Sequence, residues 1–503
     1  MSQKLERPLA LIILDGWGVS SNRSGNAIAA AHTPYYNHLR TNFPGAVLEA
    51  SGRFVGLAEG EPGNAETGHR TIGAGRVVPT VAARVQSASM DGTLRDNQQM
   101  RAAFSTAAGR GAAVHFIGLI GDAGIHSSQE ALFALLRSAK ASGVREAFIH
   151  GILDGRDVRP RSADIYVEAL EIKMADIGIG RIASLCGRFY GMDSSGNWER
   201  TARAYTMLVH GEGERGSDAV TAIRGSFLRG ISDEFIAPVV IENEPNKPMA
   251  VIRDGDLVVF FNHTAEPMRQ LVRSLAVPDA AASKPKVDTI CLTEYDPTFG
   301  LPVIFAPANE TSVLSDIFDE HGIMNYRITE SGRAEHISSF FNSRSAAPGE
   351  FERQLILKAA GPESLDSEPE SKSFKIADGV RQGLESGAPV VVANLPSPGL
   401  LAEAGNFEKA VEAVQFVDTC LGGILETVAD LNGIAVITSS HPGCEEIDQP
   451  GRFANPVPFY VVDSERPELK LSVRGSLQDV APTVLGLLGL ECPPEMTGRD
   501  LRV

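Results

Sequence analysis

Two arginines, an aspartate and a histidine lie where short apolar runs end in loops. Arg156 and Asp157 follow one such run, and Arg188 follows another and precedes a glycine-containing loop. Residues in this position usually form the ligand sites of α/β sheets. Guanidinium groups suit a carboxylate or a phosphate, because each can donate two parallel hydrogen bonds. If these side chains bind a ligand, their charge suits a small anion. As alternatives, Arg156 and Asp157 could form a purely structural ion pair, and His126 could bond only to backbone.

The elements that would position these side chains follow from the hydrophobic pattern. Short apolar runs alternate with helix-length amphipathic stretches, which predicts an α/β fold with largely parallel sheets. The predicted strands are Leu9–Leu14, Ala113–Ile120, Ala147–Leu153, Ile182–Leu185, Leu257–Phe261, Pro389–Ala393 and Ile434–Thr438. The clearest predicted helices are Gln129–Ser142, Ala163–Asp176, Ala265–Leu275 and Phe407–Leu431. Ser127 and Ser128 predict an N-cap for the first of these helices, and residues 361–373 predict an exposed loop.

Composition narrows the class of protein. A chain of 503 residues predicts two domains. The net charge of −17, with no block of Lys or Arg, argues against a nucleic-acid or anionic-membrane partner. The N-terminus lacks the apolar core of a signal peptide, and no CxxC pair occurs among the five cysteines. We expect a cytoplasmic monomer with reduced thiols.

A run of glycine and polar residues at 63–76 resembles the nucleophile turn of a known family. The chain reads Gly63-Asn64-Ala65-Glu66-Thr67-Gly68-His69 and then Ile72-Gly73-Ala74-Gly75-Arg76. The cofactor-independent phosphoglycerate mutases of the alkaline phosphatase superfamily read Gly-Asn-Ser-Glu-Val-Gly-His and then Ile-Gly-Ala-Gly-Arg. Further family motifs follow in order, among them Asp15-Gly16-Trp17-Gly18, Asp154-Gly155-Arg156-Asp157 and Asn455-Pro456-Val457-Pro458. On these motifs the chain is identified as a diverged member of that family.

The resemblance implies two α/β domains. An alkaline-phosphatase-like domain would combine residues 1–77 with residues 312–503. An inserted substrate-binding domain would comprise residues 78–311. In the family the active site lies in the cleft between the two domains.

The phosphate-carrying serine of the family is replaced by Ala65. A methyl group cannot attack phosphorus, so the family's phosphoserine step lacks its nucleophile here. Thr67 is a weak replacement, because two positions along a helix rotate a side chain by roughly 200°. A threonine in the core at the family's valine position is the stronger interpretation.

The family holds two manganese ions, and the resemblance implies that most of their ligands are missing. Asp15 and His441 remain from one site, whose other aspartate is Ser440 and whose serine is Ala65. At the second site none of the three ligands is found. Because a divalent ion needs three or four protein ligands, we expect no metal cofactor. Replacement by one of the glutamates Glu403, Glu445 or Glu446 is the alternative.

The glycerate-binding residues of the family are better kept. The resemblance assigns substrate contact to His126, Arg156, Asp157 and Arg188, while a further arginine is Ser194. Thr264 and Pro267 stand where two phosphate-binding arginines are expected. Arg333 stands at the position of a catalytic lysine, but arginine is a poor proton donor because it stays charged.

These observations support three hypotheses about function. The first is a metal-independent enzyme without mutase activity that acts on a small carboxylated or phosphorylated, glycerate-like metabolite. The second is a non-catalytic protein that binds a metabolite or a partner. The third is an active phosphoglycerate mutase or a phosphatase with rebuilt metal ligands.

Overall fold

The computed structural model describes residue 5 and residues 7–278, 284–306, 308, 310–343, 348–358, 369–448 and 454–503. The chain forms two compact units. The discontinuous unit combines Met1–Thr80 with Ala308–Val503, and the continuous unit is Val81–Pro307. The assignment of residues 78–311 as a substrate-binding domain stays a prediction. Among the described helices, none is long and apolar enough to cross a membrane.

The strands and helices alternate along most of the chain. The described strands are β1 (Leu9–Leu14), β2 (Gly45–Glu49), β3 (Val114–Ile120), β4 (Ala147–Leu153), β5 (Arg181–Gly187), β6 (Glu214–Gly216), β7 (Val239–Glu244), β8 (Lys247–Pro248), β9 (Leu257–Phe260), β10 (Asp288–Thr293), β11 (Val303–Phe305), β12 (Asn325–Glu330), β13 (Glu352–Leu357), β14 (Val390–Leu395), β15 (Ile434–Thr438), β16 (Val457–Asp463) and β17 (Arg474–Ser476). The described helices are α1 (Ala27–Ala30), α2 (Pro34–Asn42), α3 (Ala65–Ala74), α4 (Val81–Met90), α5 (Gln98–Arg110), α6 (Gln129–Ala141), α7 (Ala163–Ile177), α8 (Arg188–Gly191), α9 (Trp198–His210), α10 (Ala219–Leu228), α11 (Arg269–Ala276), α12 (Leu314–Glu320), α13 (Pro369–Glu385), α14 (Ser397–Glu403), α15 (Phe407–Asp430) and α16 (Val480–Leu487).

The discontinuous unit is built on a sheet in the order β13-β12-β14-β1-β15-β16-β2-β17. The four neighbouring strands β12, β14, β1 and β15 are parallel. Every residue of β1, β14 and β15 is buried, because helices and loops cover both faces of the sheet. The carboxyl ends of these strands therefore meet at one edge of the sheet.

The continuous unit has its own sheet, in the order β11-β10-β9-β3-β4-β5-β7-β6, with β8 paired to β7. Strands β9, β3, β4 and β5 are parallel neighbours at its centre. Residues that follow these strands are brought together at the same edge, as in other parallel α/β sheets.

The predicted α/β fold is confirmed, and three of the predicted strands, β1, β4 and β15, have the predicted bounds. Ser128 is the N-cap of α6, where its side chain accepts a hydrogen bond from the backbone N–H of Ala131. The predicted loop at 361–373 is wrong in part. Helix α13 begins at Pro369, a residue that suits the first helical turn because its missing N–H needs no partner there. Residues 361–368 lie outside the described residues.

A chain of buried polar side chains links three strands of the continuous unit, β5, β4 and β3, to Asp256, the residue before β9. Ser184 Oγ lies 2.7 Å from His150 Nδ1, and His150 Nε2 lies 2.9 Å from His115 Nδ1. His115 Nε2 lies 3.3 Å from Asp256 Oδ2. Burial lowers the pKa of His150 well below its usual value, and His115 adds repulsion.

This depressed pKa makes the stability of the continuous unit depend on pH. Below pH 6.5 the unfolded chain binds a proton at His150 that the folded chain does not bind, so stability is complete above that value and falls as the pH drops. His150→Gln should reduce the slope by up to about 1.4 kcal/mol per pH unit. Hydrogen exchange of β3, β4 and β5 between pH 7 and 5 measures the effect. The exposed His38, changed to Gln, is the control, and an unchanged slope in His150→Gln would contradict the assignment.

Candidate metal centre and anion site

Polar side chains gather at the carboxyl ends of four parallel strands of the discontinuous unit. Asp15 directly follows β1, Asn394 lies near the end of β14, and Ser440 follows β15. His336 begins a π-helical turn, His336–Phe340, shortly after β12. π-Helical turns are rare and are frequent at functional sites. The sheet thus supplies four residues from widely separated parts of the chain.

Helix α3 adds a fifth side chain, His69. The helix begins at Ala65 and is capped by Asn64, whose side chain accepts from the backbone N–H of Thr67. Gly68 lies against the loop after β15, since a Cβ there would be 1.9 Å from the carbonyl oxygen of Ser440. This backbone contact brings His69 next to Asp15.

The carboxylate of Asp15 is buried and accepts four hydrogen bonds. Oδ1 lies 3.0 Å from His69 Nε2 and 2.5 Å from Ser440 Oγ. Oδ2 lies 2.9 Å from His336 Nδ1 and 2.8 Å from Asn394 Nδ2. Burial alone would raise the pKa of Asp15, but His69 and His336 together hold it well below its usual range. Asp15 is therefore a carboxylate.

Asp15, His69 and His336 fit a divalent metal ion. One ligand atom from each residue lies within 4.8 Å of the others, and all three residues are buried. Within the described residues, His69 Nδ1 and Asn394 Oδ1 are buried without a hydrogen-bond partner, so the cluster is not satisfied by its own contacts. Two imidazoles and a carboxylate are a donor set that suits zinc, cobalt or manganese. The expectation that no metal site remains is therefore wrong.

His441, Glu403 and Glu445, three other residues considered as metal ligands, each contact different neighbours. His441 is buried, lies 2.8 Å from Ser440 Oγ through Nδ1, and its pKa is lowered to about 4, chiefly by burial. Its Nε2 is 3.9 Å from Glu403, whose other carboxylate oxygen is 3.9 Å from Arg333. Glu445 is buried and accepts hydrogen bonds from the backbone of Gly18 and Gly443.

The position of the family's nucleophile carries no reactive atom. Ala65 is the first residue of α3, and its side chain ends at Cβ. Thr67 is 2 % exposed, and its hydroxyl lies 3.2 Å from the side-chain oxygen of Asn64 and 3.3 Å from the carbonyl oxygen of the same residue. Because this hydroxyl is buried and bonded to the N-cap residue, Thr67 is not available as a nucleophile.

The continuous unit brings three of the predicted substrate residues together. Arg188 donates from one nitrogen to Asp154, at 2.7 Å, and to Asp157, at 2.5 Å. Its other terminal nitrogen is 2.9 Å from His126 Nε2. His126 Nδ1 lies 2.7 Å from the hydroxyl of Thr264. Burial, followed by the charge of Arg188, lowers the pKa of His126. Its Nε2 also lies 3.2 Å from Asp157 Oδ2.

Arg156 has another environment. Its side chain is exposed, and its backbone N–H donates to Asp154. Arg188, in contrast, has a side chain that is only 10 % exposed and is paired with two carboxylates. Arg156 is therefore the arginine of this group that is open to solvent, and Arg188 orders the loops around it.

The comparisons with known proteins agree over the whole chain. A family model described as the BPG-independent PGAM N-terminus matches residues 85–297. The chain is 39% identical over 507 residues to the 2,3-bisphosphoglycerate-independent phosphoglycerate mutase of Desulforudis audaxviator, covering 98% of this chain and 99% of that protein. The corresponding mutase of Moorella thermoacetica is 38% identical, and the alignment covers 100% of both chains. The chain belongs to this mutase family.

A solved structure supports the fold of this family member. The chain matches a crystal structure of Leishmania mexicana phosphoglycerate mutase at low cobalt concentration with a TM-score of 0.73. The match covers 99% of this chain and 98% of that one, at 24% sequence identity. This likeness concerns the fold alone.

Sequence reasoning missed His69 and His336 as candidate metal ligands. His69 lies four residues after Ala65, so it shares a helix face with the position of the family's serine. That spacing was the available signal for His69. His336 is 321 positions from Asp15, and no local pattern connects these two residues.

We predict that the chain binds one divalent ion with Asp15, His69 and His336. His69→Ala and His336→Ala should each weaken binding of Zn²⁺ or Co²⁺ at least tenfold, because each removes a ligand from the set. Calorimetric titration of metal-free protein measures the affinity. His321→Ala is the control, because His321 belongs to the same unit and its Nδ1 bonds the carbonyl oxygen of Ile317 in its own helix. Unchanged affinity in both ligand variants would exclude this site.

A second prediction separates the two arginines of the continuous unit. Arg188→Ala leaves Asp154, which is 1 % exposed, without its cation and should cost about 3–5 kcal/mol of unfolding free energy. Arg156→Ala should change stability by less than about 0.5 kcal/mol, because the side chain is exposed. Urea unfolding followed by circular dichroism measures both values. Equal stability of the two variants would show that the ion pairs of Arg188 do not hold the loops.

Proposed function

We propose that the chain is a metal-dependent phosphoryl-transfer enzyme that acts on phosphoglycerate or a close glycerate-like relative. The observation that carries this proposal is the cluster of Asp15, His69 and His336 beside the start of α3. It provides three ligands at the edge of the sheet where the family's reaction is expected. A divalent ion held there would supply positive charge for the oxygens of a phosphoryl group.

The substrate class follows from the anion site and from the relatives. His126, Arg156, Asp157 and Arg188 match the residues that the family uses for glycerate, and proteins named phosphoglycerate mutases are 35–39% identical to the chain over nearly its full length. Arg156 is exposed and can donate two hydrogen bonds to a carboxylate. Arg188 and His126 orient the loops that carry it. These features support a small phosphorylated carboxylate as the substrate.

The acceptor of the phosphoryl group is constrained by Ala65. A methyl group cannot hold the phosphoryl group between two steps, so water is the simplest acceptor and hydrolysis the favoured reaction. Arg333 keeps a positive charge near Glu403 and His441 but cannot act as a proton donor near neutral pH. Its role in this proposal is to bind negative charge.

Mutase activity is a second candidate, because the relatives from Desulforudis and Moorella are named mutases and match the chain over its whole length. It would need direct transfer between the two hydroxyl positions of the glycerate or another carrier. The two candidates use the same metal site and the same substrate, and they differ only in product.

The test uses the full chain, purified, stripped of metal and reloaded with Mn²⁺, Co²⁺ or Zn²⁺. It is incubated with 3-phosphoglycerate, and inorganic phosphate and 2-phosphoglycerate are measured in parallel. We expect metal-dependent phosphate release that Asp15→Ala abolishes and His321→Ala leaves unchanged. Formation of 2-phosphoglycerate without release of inorganic phosphate would identify a mutase. If neither product forms with any ion, although thermal shift shows that phosphoglycerate binds, the chain is a binding protein and the proposal fails.

A further inference from the structure

The amide of Asn394 touches all three residues of the metal cluster. Its Nδ2 atom lies 2.8 Å from Asp15 Oδ2, 2.8 Å from His69 Nε2 and 3.4 Å from His336 Nδ1. Asn394 is fully buried and belongs to the central strand β14, whose neighbour β1 leads into Asp15. The amide head is therefore fixed at the centre of the cluster by the sheet.

The contacts of His69 conflict in the absence of a cation. Its Nε2 lies 3.0 Å from Asp15 Oδ1, which requires a proton on that nitrogen, and 2.8 Å from Asn394 Nδ2, which requires a lone pair. One ring nitrogen cannot offer both. At the same time Asn394 Oδ1 is buried and, within the described residues, has no hydrogen-bond partner. A buried polar group without a partner is destabilising.

Rotation of the terminal amide by 180° resolves the conflict if a divalent ion lies between these side chains. The rotation exchanges the oxygen and the nitrogen of the amide, which have nearly the same shape. Oδ1 then faces His69 Nε2, His336 Nδ1 and Asp15, and each of these groups offers a lone pair. The ion satisfies all of them, whereas without it the oxygen of Asn394 would face the carboxylate directly.

We propose that Asn394 is the fourth ligand of the metal site, through Oδ1. The proposal rests on the proposed function, because it adds a ligand to the same centre. Two imidazole nitrogens, one carboxylate and one amide oxygen give a four-ligand set with a single negative charge. Such a mixed set suits Zn²⁺, Co²⁺ or Mn²⁺ rather than Ca²⁺, which takes six to eight oxygen ligands.

Two substitutions test the ligand role of Asn394 by metal binding alone. Asn394→Ala removes the oxygen and should weaken Co²⁺ and Zn²⁺ binding about 10- to 100-fold. Asn394→Asp keeps the shape, adds a negative charge and should bind the ions more tightly than the wild type, and at least about tenfold more tightly than Asn394→Ala. Calorimetric titration gives the affinities, and the visible absorption of bound Co²⁺, which depends on ligand number and type, should change in both variants.

Asn325→Ala is the matched control. Asn325 is fully buried in the same unit but lies at the start of β12, where it bonds backbone carbonyls and Arg327. The Asn325→Ala variant should bind Co²⁺ with the affinity of the wild type and show the same absorption spectrum.

The outcomes separate this inference from the proposed function. If the wild type binds the ion and Asn394→Ala has the same affinity and spectrum, Asn394 is not a ligand and only this inference fails. If the wild type binds none of the three ions, both fail. If Asn394→Ala does not fold, Asn394→Asp is the deciding variant. Co²⁺ should then raise the Tm of Asn394→Asp more than it raises the Tm of the wild type. A rise that is no larger than in the wild type would overturn the role of Asn394.

Discussion

The buried carboxylate of Asp15 is the interaction on which the discontinuous unit depends. A carboxylate in the interior is costly unless it is paired and hydrogen-bonded, and Asp15 is surrounded by His69, His336, Ser440 and Asn394. These partners come from a helix, a π-helical turn, a loop and a strand. Any change at Asp15 therefore affects four segments at once, and the same convergence forms the proposed metal site.

In the continuous unit, an arginine side chain stabilises the carboxylates near the edge of the sheet. Its polar residues also follow parallel strands, but Arg188 neutralises Asp154 and Asp157 within the protein itself. The result is a site whose internal charges are paired and in which the side chain of Arg156 is exposed. Each unit thus carries a polar cluster at the edge of its sheet. In the discontinuous unit the lone pairs of the cluster converge, and in the continuous unit a guanidinium group faces the solvent.

Much of the fold could be predicted from the sequence because the apolar runs of β1, β4 and β15 are bounded by polar or glycine residues. The family motifs also drew attention to Asp15, His126 and Arg188, and their roles in binding stay predictions. The contact of His336 with Asp15, on which its proposed ligand role rests, could not be predicted, since it spans 321 positions. The start of α13 was missed because Pro, Ser and Glu are as common in first helical turns as in loops. The role of Arg188 in stability is equally a matter of tertiary contact, visible only once Asp154 and Asp157 are seen on the same nitrogen.

The contact between Gly68 and Ser440 has a consequence for how this chain can change over evolutionary time. The helix and the loop touch through backbone, with no room for a Cβ at Gly68, so their spacing does not depend on which side chains they carry. Side chains at 65, 69 and 440 can then be exchanged one at a time without moving the frame. A lineage can in this way lose one reactive group and recruit another while the protein remains folded, provided that residue 68 stays glycine.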